Sequence, residues 1–124
     1  MKRFTTLVAV AGWILAAAVA HADDPVKVDP KHYTVEFEND AVRVLRIHYG
    51  PGEKSVMHSH PAAIAVFLTD SNNKMTFPDG TSTMKTVKAG SVQMTPAGDH
   101  LPENVGEKPM ELILVELKTP PVAK

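Results

Sequence analysis

The chain contains no cysteine. That excludes disulfides, thiolate metal ligands, thiol redox chemistry and cysteine nucleophiles, so the fold must rest on its apolar core. Aromatic residues are scarce at 6%, and the single tryptophan, Trp13, lies in the N-terminal apolar run. Basic residues are scattered rather than clustered and the formal net charge is −1, which argues against a nucleic-acid partner, since that requires a concentrated basic surface. No stretch carries the periodicity of a long amphipathic helix, and there are no internal repeats or low-complexity segments. The longest apolar run falls short of the roughly 20 residues a membrane-spanning helix needs.

That run belongs to the first of four segments. Lys2 and Arg3 form a basic start, Leu7 to Ala20 are uncharged and apolar, and Ala20-His21-Ala22 offers small residues at both positions of a cleavage site. Residues 1–22 are therefore expected to be a signal peptide cleaved after Ala22, leaving a periplasmic or secreted protein with no membrane attachment. Loss of Lys2 and Arg3 makes the remainder more acidic. Residues 23–31 are polar with two prolines and are expected to form an extended arm. Residues 32–118 form the domain and 119–124, with Pro120 and Pro121, a C-terminal tail.

Within the domain the pattern is of short strands and turns. Tyr33, Val35 and Phe37 alternate with polar neighbours, predicting a half-buried strand. Ala41–Tyr49 is β-rich on both faces and Gly50-Pro51-Gly52 ends it. Ser55–His60 is expected as a strand closed by Pro61. Ala63–Thr69 reads as a buried strand with Ile64, Val66 and Leu68 forming its apolar face, and Asp70–Asn73 as the turn after it. Lys74–Phe77 and Thr81–Val87 flank Pro78-Asp79-Gly80, a hairpin signal. Ser91–Thr95 and Met110–Leu117 complete the strands, with Pro96–Pro109 loop-like. About eight short strands with Gly/Pro/Asn turns indicate an all-β sandwich or barrel.

Against that background His58-Ser59-His60 stands out. Strand side chains alternate faces, so both imidazoles point the same way. Each neutral ring offers a lone pair to a divalent transition metal. His100, after Pro96-Ala97-Gly98, supplies a third imidazole on a separate segment.

In these residues the chain resembles the cupin superfamily. Gly52, His58 and His60 match the opening of its first motif at the family's spacing. Gly90, Pro96, Gly98, His100 and Asn104 follow the order of its second motif, with one residue fewer between Gly98 and His100. The resemblance spans about Tyr33 to Leu117 and implies a double-stranded β-helix, a jelly roll whose interior histidines grip a metal. The family's glutamate would fall at Ile64 or Ala65, both apolar, and the closing glycine is replaced by Ser71-Asn72-Asn73. What the resemblance implies is a three-histidine site of His58, His60 and His100, as in the cupin branches that include thiol dioxygenases and β-diketone-cleaving dioxygenases.

Other residues have weaker claims. Glu103 and Asp99 are the acids nearest His100. Glu103, or water, is a candidate to replace the missing glutamate, while solvated loop acids are the plainer reading of both. Asn104 is expected to cap a turn or orient a ligand. Gln93 and Met75 are candidate cavity residues, Met84 and Met94 space-fillers. His32 and His48 read as structural or surface residues, and Arg43 and Arg46 as substrate-carboxylate ligands only if they face inward. Histidine ligands leave iron, zinc, copper, nickel and manganese all open. Three readings follow: a metal-dependent dioxygenase acting on a small anionic or dicarbonyl compound, a non-catalytic module binding metal or a small ligand, and a barrel that has lost its metal. A homodimer is an expectation from the commonness of two-fold assemblies alone.

Overall fold

The computed structural model describes residues 21–119. The signal peptide and the tail beyond Thr119 were assigned to residues that lie, His21 and Ala22 apart, outside that range. Where an extended arm was expected, Pro25–Val28 form one turn of helix, α1. Asp24 caps it, its carboxylate accepting from the Val26 N–H at 2.9 Å, and Pro25 presets the first helical φ.

Nine strands follow among the described residues: β1 (Tyr33–Glu38), β2 (Val42–Tyr49), β3 (His58–His60), β4 (Ala63–Phe67), β5 (Ser71–Thr76), β6 (Ser82–Val87), β7 (Val92–Thr95), β8 (Gly98–Asn104) and β9 (Met110–Leu117). They form two antiparallel sheets, one ordered β1-β2-β9-β4-β7 and the other β3-β8-β5-β6. The Pro78-Asp79-Gly80 turn joins β5 to β6 as expected. Asp79 accepts from the Thr81 N–H at 2.9 Å, and Gly80 takes φ +84°, a conformation that favours glycine.

The core lies between the sheets. Leu45, Ile47 and Tyr49 of β2 and Met110, Leu112 and Leu114 of β9 alternate inward. On β4 the inward set is Ala63, Ala65 and Phe67, opposite in parity to the expected Ile64, Val66 and Leu68. Leu68 is in fact exposed, past the end of the strand. Both sets are apolar, so alternation could not choose between them. The pairing of Ala65 with inward-facing Leu114 does.

Four further expectations are corrected. Asn72 and Asn73 belong to β5, pairing with Thr86 and Lys85, so the turn before them is shorter than Asp70–Asn73. His100 lies on a strand, not a loop, because β8 pairs with β3 on one side and β5 on the other. On β1 only Tyr33 is buried, while Val35 and Phe37 are exposed along the sheet edge. Met84 and Met94 are exposed and fill no core space.

Candidate metal centre

The two histidine segments are neighbouring strands. β3 and β8 run antiparallel with His58 directly opposite His100 and His60 opposite Gly98. Period-two alternation turns His58 and His60 inward and leaves Ser59 between them half-buried. His58 is fully buried and His60 is 5% exposed. The three imidazoles thus meet between the sheets, with ring centroids 4.8 Å apart for His58–His60, 4.9 Å for His58–His100 and 5.2 Å for His60–His100. One nitrogen from each lies within 4.8 Å of the others.

Their surroundings set the tautomers. His58 Nδ1 lies 2.8 Å from the Val56 carbonyl oxygen, and His60 Nδ1 lies 2.6 Å from Glu116 Oε1. Both oxygens only accept, so both Nδ1 atoms carry the hydrogen and both Nε2 atoms present lone pairs. Those Nε2 atoms are 3.1 Å apart. Two facing lone pairs repel unless a cation lies between them. Metal–imidazole bonds of about 2.1 Å at a right angle would separate two nitrogens by about 3 Å. The donor set therefore fits a metal ion.

Electrostatics keep His58 and His100 in ligating form. Burial, with His60 nearby, pulls the His58 imidazole down to a pKa of about 4. Burial, with His60 and His58, pulls His100 down to about 3. Both are neutral at physiological pH.

Behind His60 lies a carboxylate that sequence reading overlooked. Glu116 occupies the inward position after Met110, Leu112 and Leu114 on β9 and is 2% exposed. Its Oε2 accepts from Arg43 Nε at 2.6 Å, and Arg43 Nη2 donates to Asp24 at 2.5 Å. Burial pushes the Glu116 carboxyl up, but the bonds from His60 and Arg43 outweigh it and hold it below its ordinary value. Pattern alone does not single it out, because Glu111, Ile113, Val115 and Leu117 form an equally apolar set with one acid. Tyr33 was overlooked too. Its hydroxyl lies 3.1 Å from His58 Nε2 and 2.6 Å from the Tyr49 hydroxyl.

The remaining candidates sort plainly. Arg43 and Arg46 are engaged by acids, Arg46 by Glu36 and Glu111 at 2.6 Å each, and neither lines the cavity beside the histidines. Asn104 ties down the turn after β8, donating to the carbonyls of Gly50 at 3.1 Å and Lys108 at 2.8 Å and accepting from Gly106 N–H. Glu103 pairs with Lys74 and bridges to Lys54 through the backbone, and it is not among the acids and histidines that cluster at the site. Asp99 accepts from Ala22 N–H at 3.0 Å. His48 is exposed. His32 is structural, its Nδ1 2.8 Å from Asp29 and its ring stacked on Tyr49 at 4.4 Å.

A cavity of about 400 Å³ opens beside the histidines, within the range of small-molecule sites. His60 and His100 stand at it, with Ala65, Phe67, Met75 and Leu112 among its apolar walls and Gln93 among its polar ones. Gln93 and Met75 were expected there. Asn73 also lines it, and its buried Oδ1 has no hydrogen-bond partner among the described residues.

No family model and no curated protein sequence matches the chain. Solved structures do. A cupin domain from Bordetella pertussis Tohama I superposes with a TM-score of 0.65 at 24% identity, over 70% of this chain and 92% of that one. An uncharacterized conserved protein with a double-stranded β-helix domain from Klebsiella pneumoniae subsp. pneumoniae MGH 78578 gives 0.56 at 22%, over 68% and 74%. A cupin superfamily protein from Desulfitobacterium hafniense DCB-2 gives 0.53 at 15%, over 68% and 74%. The fold of this chain is the cupin double-stranded β-helix, with His58, His60 and His100 positioned to bind a metal.

Proposed function

We propose that this chain is an exported cupin that holds a divalent transition metal on His58, His60 and His100 and takes a small anionic or dicarbonyl compound into the adjoining cavity, with dioxygenation as its reaction. The observation that carries the metal reading is the approach of the His58 and His60 lone pairs to 3.1 Å. A bound metal supplies Lewis acidity and, if it is iron, a redox centre for dioxygen.

The chain's own residues do the rest. Glu116 and the Val56 carbonyl fix the ring orientations. Ala65, Phe67, Met75 and Leu112 exclude water from the body of a bound compound. Asn73 offers an acceptor to a donor group on it. Three neutral imidazoles leave the ion its full charge, which favours an anionic chelate such as an enolate. Export rests on the leader-like sequence of residues 1–22.

A non-catalytic metal- or ligand-binding module is the second reading. It is favoured by the engagement of the nearest buried carboxylate, Glu116, with His60 and Arg43, which leaves it unable to serve as a general base. The test is oxygen uptake by Fe(II)-loaded protein with pentane-2,4-dione. Uptake above that of free Fe(II), abolished in His60→Ala, supports the dioxygenase. Binding of the diketone without uptake supports the module.

A further inference from the structure

We propose that Tyr33 is a fourth protein donor to the metal, its phenol oxygen standing where a carboxylate ligand is missing. The inference rests on the metal reading above. Tyr33 Oη lies 3.1 Å from His58 Nε2, the same separation as between His58 Nε2 and His60 Nε2. Both distances match the edge between two donors on one ion. The Tyr33 ring sits 4.9 Å from that of His58 and 5.7 Å from that of His60, and the residue is 2% exposed.

The direction of the hydrogen bonds makes the same point. His58 Nδ1 is already a donor, so His58 Nε2 accepts and the Tyr33 hydroxyl donates to it. The Tyr33 proton thus points at the lone pair a metal would take. His58 Nε2 and the Tyr33 phenol oxygen would together hold a metal placed there, the phenol giving up its proton on ligation. Tyr49 Oη, 2.6 Å from Tyr33 Oη, is then left to donate to it. Tyrosine oxygen is an accepted donor to transition metals.

Two features hold Tyr33 in place. Its N–H donates to the Asp29 carbonyl at 3.2 Å, and β1 pairs it with Ile47 of β2. Positions 64 and 65 carry isoleucine and alanine in place of a ligand glutamate, and Glu116 is turned to the far nitrogen of His60. Tyr33 supplies an oxygen donor in contact with the Nε2 atom of His58. It would bring one negative charge to a site whose imidazoles bring none, leaving a divalent ion one net positive charge toward an anionic compound in the cavity.

The chain has two tyrosines, Tyr33 and Tyr49, which makes the test clean. Cu(II) is added to the wild type, Tyr33→Phe and Tyr49→Phe proteins, with bound copper counted by mass spectrometry and folding followed by circular dichroism. The expected result is a visible phenolate-to-Cu(II) charge-transfer band in the wild type. It persists in Tyr49→Phe, where Tyr33 is the remaining tyrosine, and is lost in Tyr33→Phe. Copper bound without that band in the wild type or Tyr49→Phe overturns the assignment and leaves the histidine site standing, as does a band that survives Tyr33→Phe. Failure of the folded wild type to bind copper overturns this assignment, and failure to take up iron, zinc, nickel or manganese as well overturns the metal reading itself.

Discussion

Replacing Glu116 by glutamine tests whether the buried carboxylate organises the metal centre. Glu116 accepts from His60 and Arg43 at 2.6 Å each, with 3% of its side chain exposed against 17% for Arg43. Glutamine keeps the shape and one acceptor but adds an NH₂ that has only the donors of His60 and Arg43 to face. Losing one partner of a buried ion pair costs about 3–5 kcal/mol. Arg43 retains Asp24 at 2.5 Å and part of its hydration, so the cost falls just below that range, at about 2–3 kcal/mol. For a domain of this size that lowers Tm by the order of 10–20 °C. Metal affinity should fall about 10–100-fold, because His60 loses the carboxylate that holds its Nε2 lone pair toward the ion. Thermal unfolding of the metal-free protein and competition against a chromophoric chelator measure the two effects separately. Unchanged metal affinity in a folded Glu116→Gln protein would refute the reasoning, whatever the stability change.

Metal-free protein should lose stability as pH falls from about 6.5 towards 4. His58 and His100 titrate near 4 and 3 in the fold but near 6.5 when unfolded, so the unfolded chain binds more protons across that window and stability rises with pH. Each contributes up to about 1.4 kcal/mol per pH unit. Urea midpoints at pH 7 and pH 5 that coincide would contradict this. Zn(II) at a hundredfold excess over its Kd should add about 2.7 kcal/mol to stability at pH 7, an increment removed by chelator and absent from His60→Ala. Substituting Ala65, 2% exposed on the cavity wall, with leucine should cost less than the roughly 1–3 kcal/mol of ordinary overpacking, since the side chain has space to enter. Binding of pentane-2,4-dione, followed by calorimetry, should be lost while metal is retained.

The sequence made the His58–His60 pair legible because two residues on a strand share a face whatever lies around them. His100 was legible as a ligand through its motif, but not as a strand residue. Its segment carries Pro96, Gly98 and Pro102 and looks like a loop until β3 and β5 supply partners for its backbone. The inward face of β4 was hidden because Ala63–Phe67 is apolar on both parities, so tertiary pairing rather than pattern decided it. Tyr33 was placed correctly at the buried start of β1, yet its approach to His58 depends on how the two sheets face each other. Glu116 was hidden for the same reason as the β4 face: Glu111, Ile113, Val115 and Leu117 form an equally apolar alternation with one acid, and the pairing of Leu114 with Leu45 decides which set turns inward. Val35 and Phe37 show the converse, since alternation predicted burial and their edge position left them exposed.

The most direct test of the central claim is the metal content of protein recovered from its native compartment without chelator or nickel resin, compared with a His58→Ala/His100→Ala variant by elemental mass spectrometry. About one transition-metal ion per folded wild-type chain, absent from the variant, is the predicted result. A folded wild-type protein that carries no metal, and takes up neither iron, zinc, copper, nickel nor manganese on reconstitution, would contradict it.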